Sequence, residues 1–219
     1  MSRIEVRHIG SAREPLVVID DFHPEFERLR AAASSAEFGA HARHYPGLQA
    51  PADPRHLGAV GAVLEQILRE QFGITRGLDL VQCAFSLVTT PEAELSPMQR
   101  RPHIDTPDPG RIALLHYLSG AETGGTAFYR HRATGLDVLD ARSFAQFREA
   151  IADETPKPGY MRGSDDHFEL LDVVEARPNR AVLYRSRILH SGQIPADLPL
   201  SSDPARGRLT VNSFFQARA

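Results

Sequence analysis

Apolar positions along the chain come in short runs broken by Gly, Pro and charged residues. PLVVIDDF (Pro15 to Phe22) is one such run ending in a turn, which predicts a buried strand. Pro24 to about Ser35 is rich in Glu, Arg and Ala and predicts an exposed helix, and His44 to Pro54 (HYPGLQAPADP) is turn-rich. In GAVGAVLEQILREQF, Val63, Ile67 and Leu68 stand at helical spacing, so a second helix is expected. LDLVQCAFSLVTT (Leu78 to Thr90) is β-branched and apolar, a strand, and PEAELSPMQRRP follows as a loop. IALLHYLSG (Ile112 to Gly120) and GTAFYRH (Gly125 to His131) read as strands separated by the turn AETGG. Ser143 is placed to cap a helix across FAQFREAIADE, and PKPGYMRGSDD is loop. HFELLDVVEA and RAVLYRSRILH, divided by the turn RPN, and then RLTVNSFFQ supply the closing strands. Helices dominate the first third and strands the rest. That order predicts a sandwich or barrel with helices packed outside.

Composition narrows the setting. A chain of 219 residues with 42% hydrophobic residues suffices for one domain with an ordinary core. Its formal net charge of −3 provides no basic field for duplex nucleic acid. Cys83 is the single cysteine and cannot close an internal disulfide, so a reducing, cytoplasmic setting is expected. The start MSRIEVRHIGSAREP has no apolar segment of the secretory kind, and no run approaches the roughly 18 apolar residues of a membrane span. The oligomeric state is not readable from the chain.

The candidate chemistry lies in RPHIDTPDPGRIALLHYLSG (Arg101 to Gly120). With ten histidines in the chain, one His-x-Asp pair can arise by chance, and such a pair in a Pro-rich loop also serves as turn capping. In an extended segment, however, His103 and Asp105 face the same side, about 6.6 Å apart along the backbone, and can lean onto one ion. His190, at the end of AVLYRSRILH, is the best third ligand. Two imidazoles and one carboxylate form the facial triad of non-haem Fe(II), with open positions for substrates. Zinc accepts the same ligands with a water, so the set alone leaves the metal open. A weaker rival pair is His167-x-Glu169 in HFELLD.

These residues resemble the 2-oxoglutarate/Fe(II)-dependent dioxygenases, particularly the prolyl-4-hydroxylase-like branch. The parallel runs in order through HID (103–105), LLHYLSGAETGGTAFY (114–129), RAVLYRSRILHSG (180–192) and GRLTVNSFF (207–215). It covers roughly residues 78–131 and 168–216. The resemblance implies a double-stranded β-helix (jelly-roll, cupin-like) core, mainly β with flanking helices. One domain is expected over 1–219: helical N-terminal support at about 1–77, and the core at about 78–216 with an insertion at about 132–166. That insertion is expected to pack a helix over one end and to cover the substrate mouth.

The same resemblance implies that His103, Asp105 and His190 hold iron and that Arg208 binds the distal carboxylate of 2-oxoglutarate. A guanidinium offers a planar two-donor fork that suits a carboxylate. Arg206 is a rival anchor, because the gap after His190 is longer than the branch commonly shows. Thr210 could add a hydroxyl bond. Tyr117 matches a cosubstrate-binding tyrosine, with a locally satisfied core aromatic as the equal alternative. Arg101, Arg130, His131, Tyr184 and Asn212 are candidates for substrate contact, each with a core or surface role as the alternative. The implied activity uses Fe(II), 2-oxoglutarate and O2, releases succinate and CO2, and hydroxylates a C–H bond of a small molecule, amino acid or peptide. Retention of Asp105 favours hydroxylation over halogenation. A jelly-roll metal- or ligand-binding protein without turnover and a zinc-dependent cupin-type hydrolase are the alternatives.

Overall fold

The computed structural model describes residues 2–40 and 45–218, so His44, the first residue of the turn-rich stretch, lies outside the described residues. A hairpin opens the chain, with β1 (Arg3–Ile9) antiparallel to β2 (Glu14–Asp20). In β2, Val17 and Ile19 pack toward a helix while Leu16 and Val18 face the opposite way, into the space between two sheets. Burial on both faces is why PLVVID reads as a continuous apolar run. The strand β1 was not expected from RIEVRHI. It is an edge strand whose residues from Arg3 to Val6 are exposed, so no buried face marks it in the sequence.

Two helices follow, α1 (Phe26–Ser34) and α2 (Gly61–Phe72), with β3 (Gly47–Pro51) between them. Leu64, Ile67, Leu68 and Phe72 of α2 are buried against Val17, Ile19, Ile112, Leu114 and Leu183, while Val63 is only partly buried. Each fully buried side chain of this size contributes about 1.5–3 kcal/mol. The helix ends at Gly73, whose φ of +69° suits a residue without a Cβ, and the Ile74 amide donates back to the Leu68 carbonyl at 3.0 Å.

The remaining strands are β4 (Leu78–Val88), β5 (Arg111–Tyr117), β6 (Gly125–His131), β7 (Phe168–Glu175), β8 (Arg180–Arg185), β9 (His190–Gln193) and β10 (Arg208–Ala217). A seven-stranded sheet has the order β1-β2-β8-β5-β10-β4-β3, and a three-stranded sheet has the order β7-β6-β9. All pairings are antiparallel. Leu16, Val18, Ala113, Tyr117, Phe128, Val182 and Tyr184 fill the space between the sheets, and the helices cover the far face of the large sheet. The fold is mainly β with flanking helices around a double-stranded β-helix core. No helix among the described residues is long and apolar enough to cross a membrane.

Three expectations need correction. The segment at about 1–77 is not only helical, because β1, β2 and β3 extend the large sheet at both edges. RAVLYRSRILH is not one strand. It leaves the large sheet after Arg185, turns through residues 186–189, and joins the small sheet at His190. Finally, helix α3 (Ala141–Ala150) is capped by Asp140, whose carboxylate accepts from the Ser143 amide at 2.8 Å, while Ser143 Oγ accepts from the Asp140 amide at 2.8 Å. This helix backs the small sheet. Its Phe147 and the following Ile151 pack on Ala127 and Tyr129, which alternate with the inward-facing Phe128.

Candidate metal centre

Backbone pairing assembles the centre. The His103 amide donates to the His190 carbonyl at 2.9 Å, and the His190 amide returns a bond to the His103 carbonyl at 2.8 Å. Two residues on, the Asp105 amide donates to the Ser186 carbonyl at 2.9 Å. The Pro-rich segment is thereby laid as a short extended strip along the turn that carries the chain between sheets. His103, Asp105 and His190 each offer a ligand atom, and these atoms lie within 4.8 Å of one another. The two imidazole centroids are 4.5 Å apart, and His190 Nε2 is 3.6 Å from Asp105 Oδ1.

The protonation states suit ligation. His190 Nδ1 lies 2.8 Å from the Ile188 carbonyl, which can only accept, so the proton sits on Nδ1 and Nε2 presents its lone pair toward Asp105. Burial lowers the His190 pKa to about 4, so the ring is neutral at pH 7. Burial also raises the Asp105 carboxyl, opposed by His103, Ser186 and Arg111. His190 is buried and His103 exposed, while the Asp105 side chain is only 21% exposed although the residue as a whole is exposed, so the centre has one closed wall and one open side at His103. Tyr184 forms part of that wall. Its ring stands edge-on to His190 at 4.9 Å and to Phe128 at 5.1 Å.

The rival pair does not assemble. His167 Nδ1 lies 3.5 Å from Glu154, and Glu169 is paired with Arg130 at 3.3 Å. Among the described residues, His103, Asp105 and His190 form the one group of three or more potential ligands close enough to share an ion.

A second polar feature runs along β10. Arg208, Thr210 and Asn212 alternate with Leu209, Val211 and Ser213 and therefore share a face. Thr210 stands opposite Ser86 on β4 and Tyr117 on β5, which fixes that face as the one turned toward the small sheet. Arg208 is 5% exposed; its Nη2 donates to the Gly125 carbonyl at 2.8 Å, while its Nε is buried without a partner. No carboxylate of the described residues pairs with it. Thr210 Oγ1 and Asn212 Oδ1 are likewise buried without partners. Each unsatisfied group costs about 1–3 kcal/mol in the protein alone, so three along one strand face mark a place shaped for something polar.

The other candidates separate cleanly. Arg206 is exposed and lies before β10 begins. The Tyr117 hydroxyl is 2.7 Å from Thr126 Oγ1, and its ring lies 5.8 Å from the Arg208 Cζ, so its hydroxyl is satisfied locally. Arg101 donates to the Ile151 and Glu154 carbonyls at 2.8 Å each. Arg130 pairs with Asp137 at 3.1 Å and with Glu169, while His131, fully buried, bonds Thr134 at 2.9 Å and Glu154 at 2.8 Å. Arg130 and His131 tie the 132–166 insertion to β6 of the small sheet, and Arg101 ties it to the loop that precedes His103. Sequence reasoning missed Tyr45, whose buried hydroxyl lies beside the Ser86 side chain and makes no hydrogen bond of ordinary geometry. Its only sequence signal is an aromatic ahead of a Pro-Gly turn.

Comparison with known proteins adds the following. A family model described as "Family of unknown function (DUF6445)" matches residues 1–215. Among solved structures, the non-heme alpha ketoglutarate dependent epimerase SnoN from nogalamycin biosynthesis superposes with a TM-score of 0.57 at 14% identity, covering 94% of this chain and 79% of that one. EvdMO1 superposes with a TM-score of 0.50 at 16% identity, covering 99% of this chain and 56% of that one. This chain therefore spans little more than half of EvdMO1. A search of curated proteins gives no match. At such identities the likeness is one of fold.

Proposed function

Taking a chain that belongs to the DUF6445 family of unknown function, we propose that it is a non-haem Fe(II)/2-oxoglutarate-dependent oxygenase of the prolyl-4-hydroxylase-like kind. The observation that carries the reading is the pairing of two features in one interior. A His-Asp-His ligand set stands at the mouth, and a buried guanidinium without a carboxylate stands on the facing sheet.

His103, Asp105 and His190 would hold the iron, and Arg208 the distal carboxylate of 2-oxoglutarate. The donor set fits Fe(II): two neutral-capable imidazoles and one carboxylate on one side of the ion, with the other side left for exogenous ligands. The bound iron and cosubstrate would supply oxidation of a C–H bond by O2, coupled to release of succinate and CO2. The chain contributes the rest. The Ile188 carbonyl fixes the His190 tautomer, the bridge between His103 and His190 fixes the spacing of the two rings, and Tyr184 with Phe128 keeps water from the buried wall. Asn212, on the Arg208 face with an unpartnered Oδ1, is the residue best placed among the substrate candidates to meet a polar group. The open side at His103 suits a small molecule, an amino acid or a peptide side chain.

Hydroxylation is the favoured outcome. The fold also hosts an alpha ketoglutarate dependent epimerase, so product analysis is needed to separate hydroxylation from other oxidations. The primary test is anaerobic addition of Fe(II) and 2-oxoglutarate to the full chain, followed by visible spectroscopy. A charge-transfer band is expected, absent in His103→Ala. For Arg208→Ala a dissociation constant roughly 100-fold higher is expected, from loss of a charge-assisted contact of about 1.5–3 kcal/mol together with the field of the cation. Wild-type protein that binds Fe(II) yet shows no cosubstrate binding would sink the reading.

A further inference from the structure

The Arg208 end of the interior is closed by residues that lie outside the recognisable oxygenase motifs. Gly47 on β3, Val88 on β4 and Arg208 on β10 stand in one row of the large sheet. A Cβ on Gly47 would fall 1.9 Å from the Leu87 carbonyl oxygen, so glycine is what lets β3 close on β4 there. Immediately before it, the Pro46 carbonyl accepts from the Thr89 and Thr90 amides at 3.2 and 3.3 Å. These contacts fix the approach of Tyr45, whose ring packs with Leu198 and Leu200 against Val88, Leu95, Tyr160 and Ile194.

Two other tyrosines near this end have used their hydroxyls. Tyr160 donates to the Thr90 carbonyl at 2.7 Å, and the Tyr117 hydroxyl meets Thr126. Tyr45 differs, because its buried hydroxyl has only the Ser86 side chain beside it and makes no hydrogen bond of ordinary geometry, and Arg208 Nε is also buried without a partner. Two unsatisfied donors of complementary kind, a phenol and a guanidinium edge, remain at the closed end of one interior. A carboxylate accepts from both at once, whereas a neutral ligand leaves the guanidinium charge unbalanced.

We propose that Tyr45 is the second anchor of this site, its hydroxyl donating to the same carboxylate that the Arg208 guanidinium grips. The inference rests on the 2-oxoglutarate reading given above and assigns the hydroxyl role to Tyr45 in place of Tyr117. Burial pushes the Tyr45 hydroxyl up to about 12, with the Arg208 charge and the neighbouring Ser86 side chain opposing the rise, so the phenol keeps its proton and remains a donor.

The test compares two 2-oxo acids on the anaerobic Fe(II) protein, with dissociation constants read from the charge-transfer band. 2-Oxoglutarate has the distal carboxylate and pyruvate lacks it. Tyr45→Phe is expected to weaken 2-oxoglutarate about tenfold or more, leave pyruvate unchanged and leave the melting temperature of the apoprotein within error. Tyr117→Phe is expected to shift neither constant. An unchanged 2-oxoglutarate constant in Tyr45→Phe, or equal losses for both acids, overturns the assignment of Tyr45 while leaving the oxygenase reading intact. Wild-type protein that holds Fe(II) but binds neither acid overturns that reading and this inference with it.

Discussion

Two groups of histidines occupy opposite sides of the large sheet, and among the described residues only one brings a carboxylate close enough to share an ion with its imidazoles. On the helix-covered face, His23, His56 and His116 lie together, with ring centroids 5.6 Å apart for His23 and His56 and 6.3 Å for His23 and His116. Their nitrogens are largely spent within the protein. His23 Nε2 donates to the His56 carbonyl at 3.0 Å and its Nδ1 accepts from the Glu25 amide at 3.1 Å, while His56 Nδ1 donates to the Asp53 carbonyl at 2.6 Å. His116 Nε2 donates to Asn179 Oδ1 at 3.0 Å. No carboxylate joins this group as a potential ligand. At the other site, Asp105 joins His103 and His190, and the Ile188 carbonyl directs the His190 lone pair toward it. Proximity of imidazoles is therefore not the signal. Converging lone pairs beside a carboxylate are.

The sharpest way to break this contrast is to remove one histidine from each group and titrate the full chain with Mn(II) as a redox-stable probe. His103→Ala, which removes a proposed ligand outright, is expected to weaken Mn(II) by more than the roughly 10–100-fold typical for loss of supporting residues around metal ligands. His23→Ala is expected to leave Mn(II) affinity unchanged while lowering stability by about 1–3 kcal/mol, because it empties the buried His23 position and leaves the part-buried contacts to the Glu25 amide and His56 carbonyl unmade. If His23→Ala abolished Mn(II) binding with its fold intact, the distinction between the two groups would be wrong.

The distinction also explains what the sequence could and could not disclose. His103, Asp105 and His190 were legible because a two-residue spacing and a later strand-borne histidine are local patterns, and their order along the chain matches a known motif set. Arg208 abuts the apolar strand and is buried, whereas Arg206 is exposed before the strand begins. Strands such as β2, β4, β5 and β10 were readable because their buried faces leave apolar runs. The β8-to-β9 crossing was not readable, since SRIL carries no Gly or Pro to mark the change of sheet. Arg101, Arg130 and His131 drew attention as polar residues near the motifs, yet their partners Ile151, Asp137 and Glu154 lie in the insertion. Such pairings are set by tertiary packing, and no local pattern encodes them. Tyr45 was invisible for the same reason, because its place depends on the register of β3 against β4.

A smaller effect depends on pH. Burial holds His116 down at about 3, against an unfolded value near 6.5. Between those values only the unfolded chain takes up the proton, so stability is complete above about pH 6.5 and is lost as pH falls toward 3. At pH 5 the loss from His116 is about 2 kcal/mol. His190, at about 4, adds a loss of the same sign in the apoprotein. His116→Gln keeps an N–H donor for Asn179 and removes the titration, so urea unfolding at pH 7 and pH 5 should show a smaller difference than wild type. An identical pH dependence in the two proteins would mean that His116 is not held neutral by the helix-covered face.

The smallest expected effect concerns the two faces of a single strand. On β5, His116 points to the helices and Tyr117 to the interior, where its ring fills space beside Arg208 and its hydroxyl is engaged by Thr126. Tyr117→Phe keeps the ring and removes one buried hydrogen bond, leaving Thr126 Oγ1 without that partner. The expected cost is about 1 kcal/mol of unfolding free energy, read from the midpoint of urea denaturation. Affinity for 2-oxoglutarate should stay within about twofold, because the ring that flanks the guanidinium is unchanged. A large loss of affinity with little loss of stability would show that the hydroxyl leaves Thr126 when cosubstrate binds. Tyr117 would then share the carboxylate with Arg208, and the interior face of β5 would be part of the binding surface as well as its support.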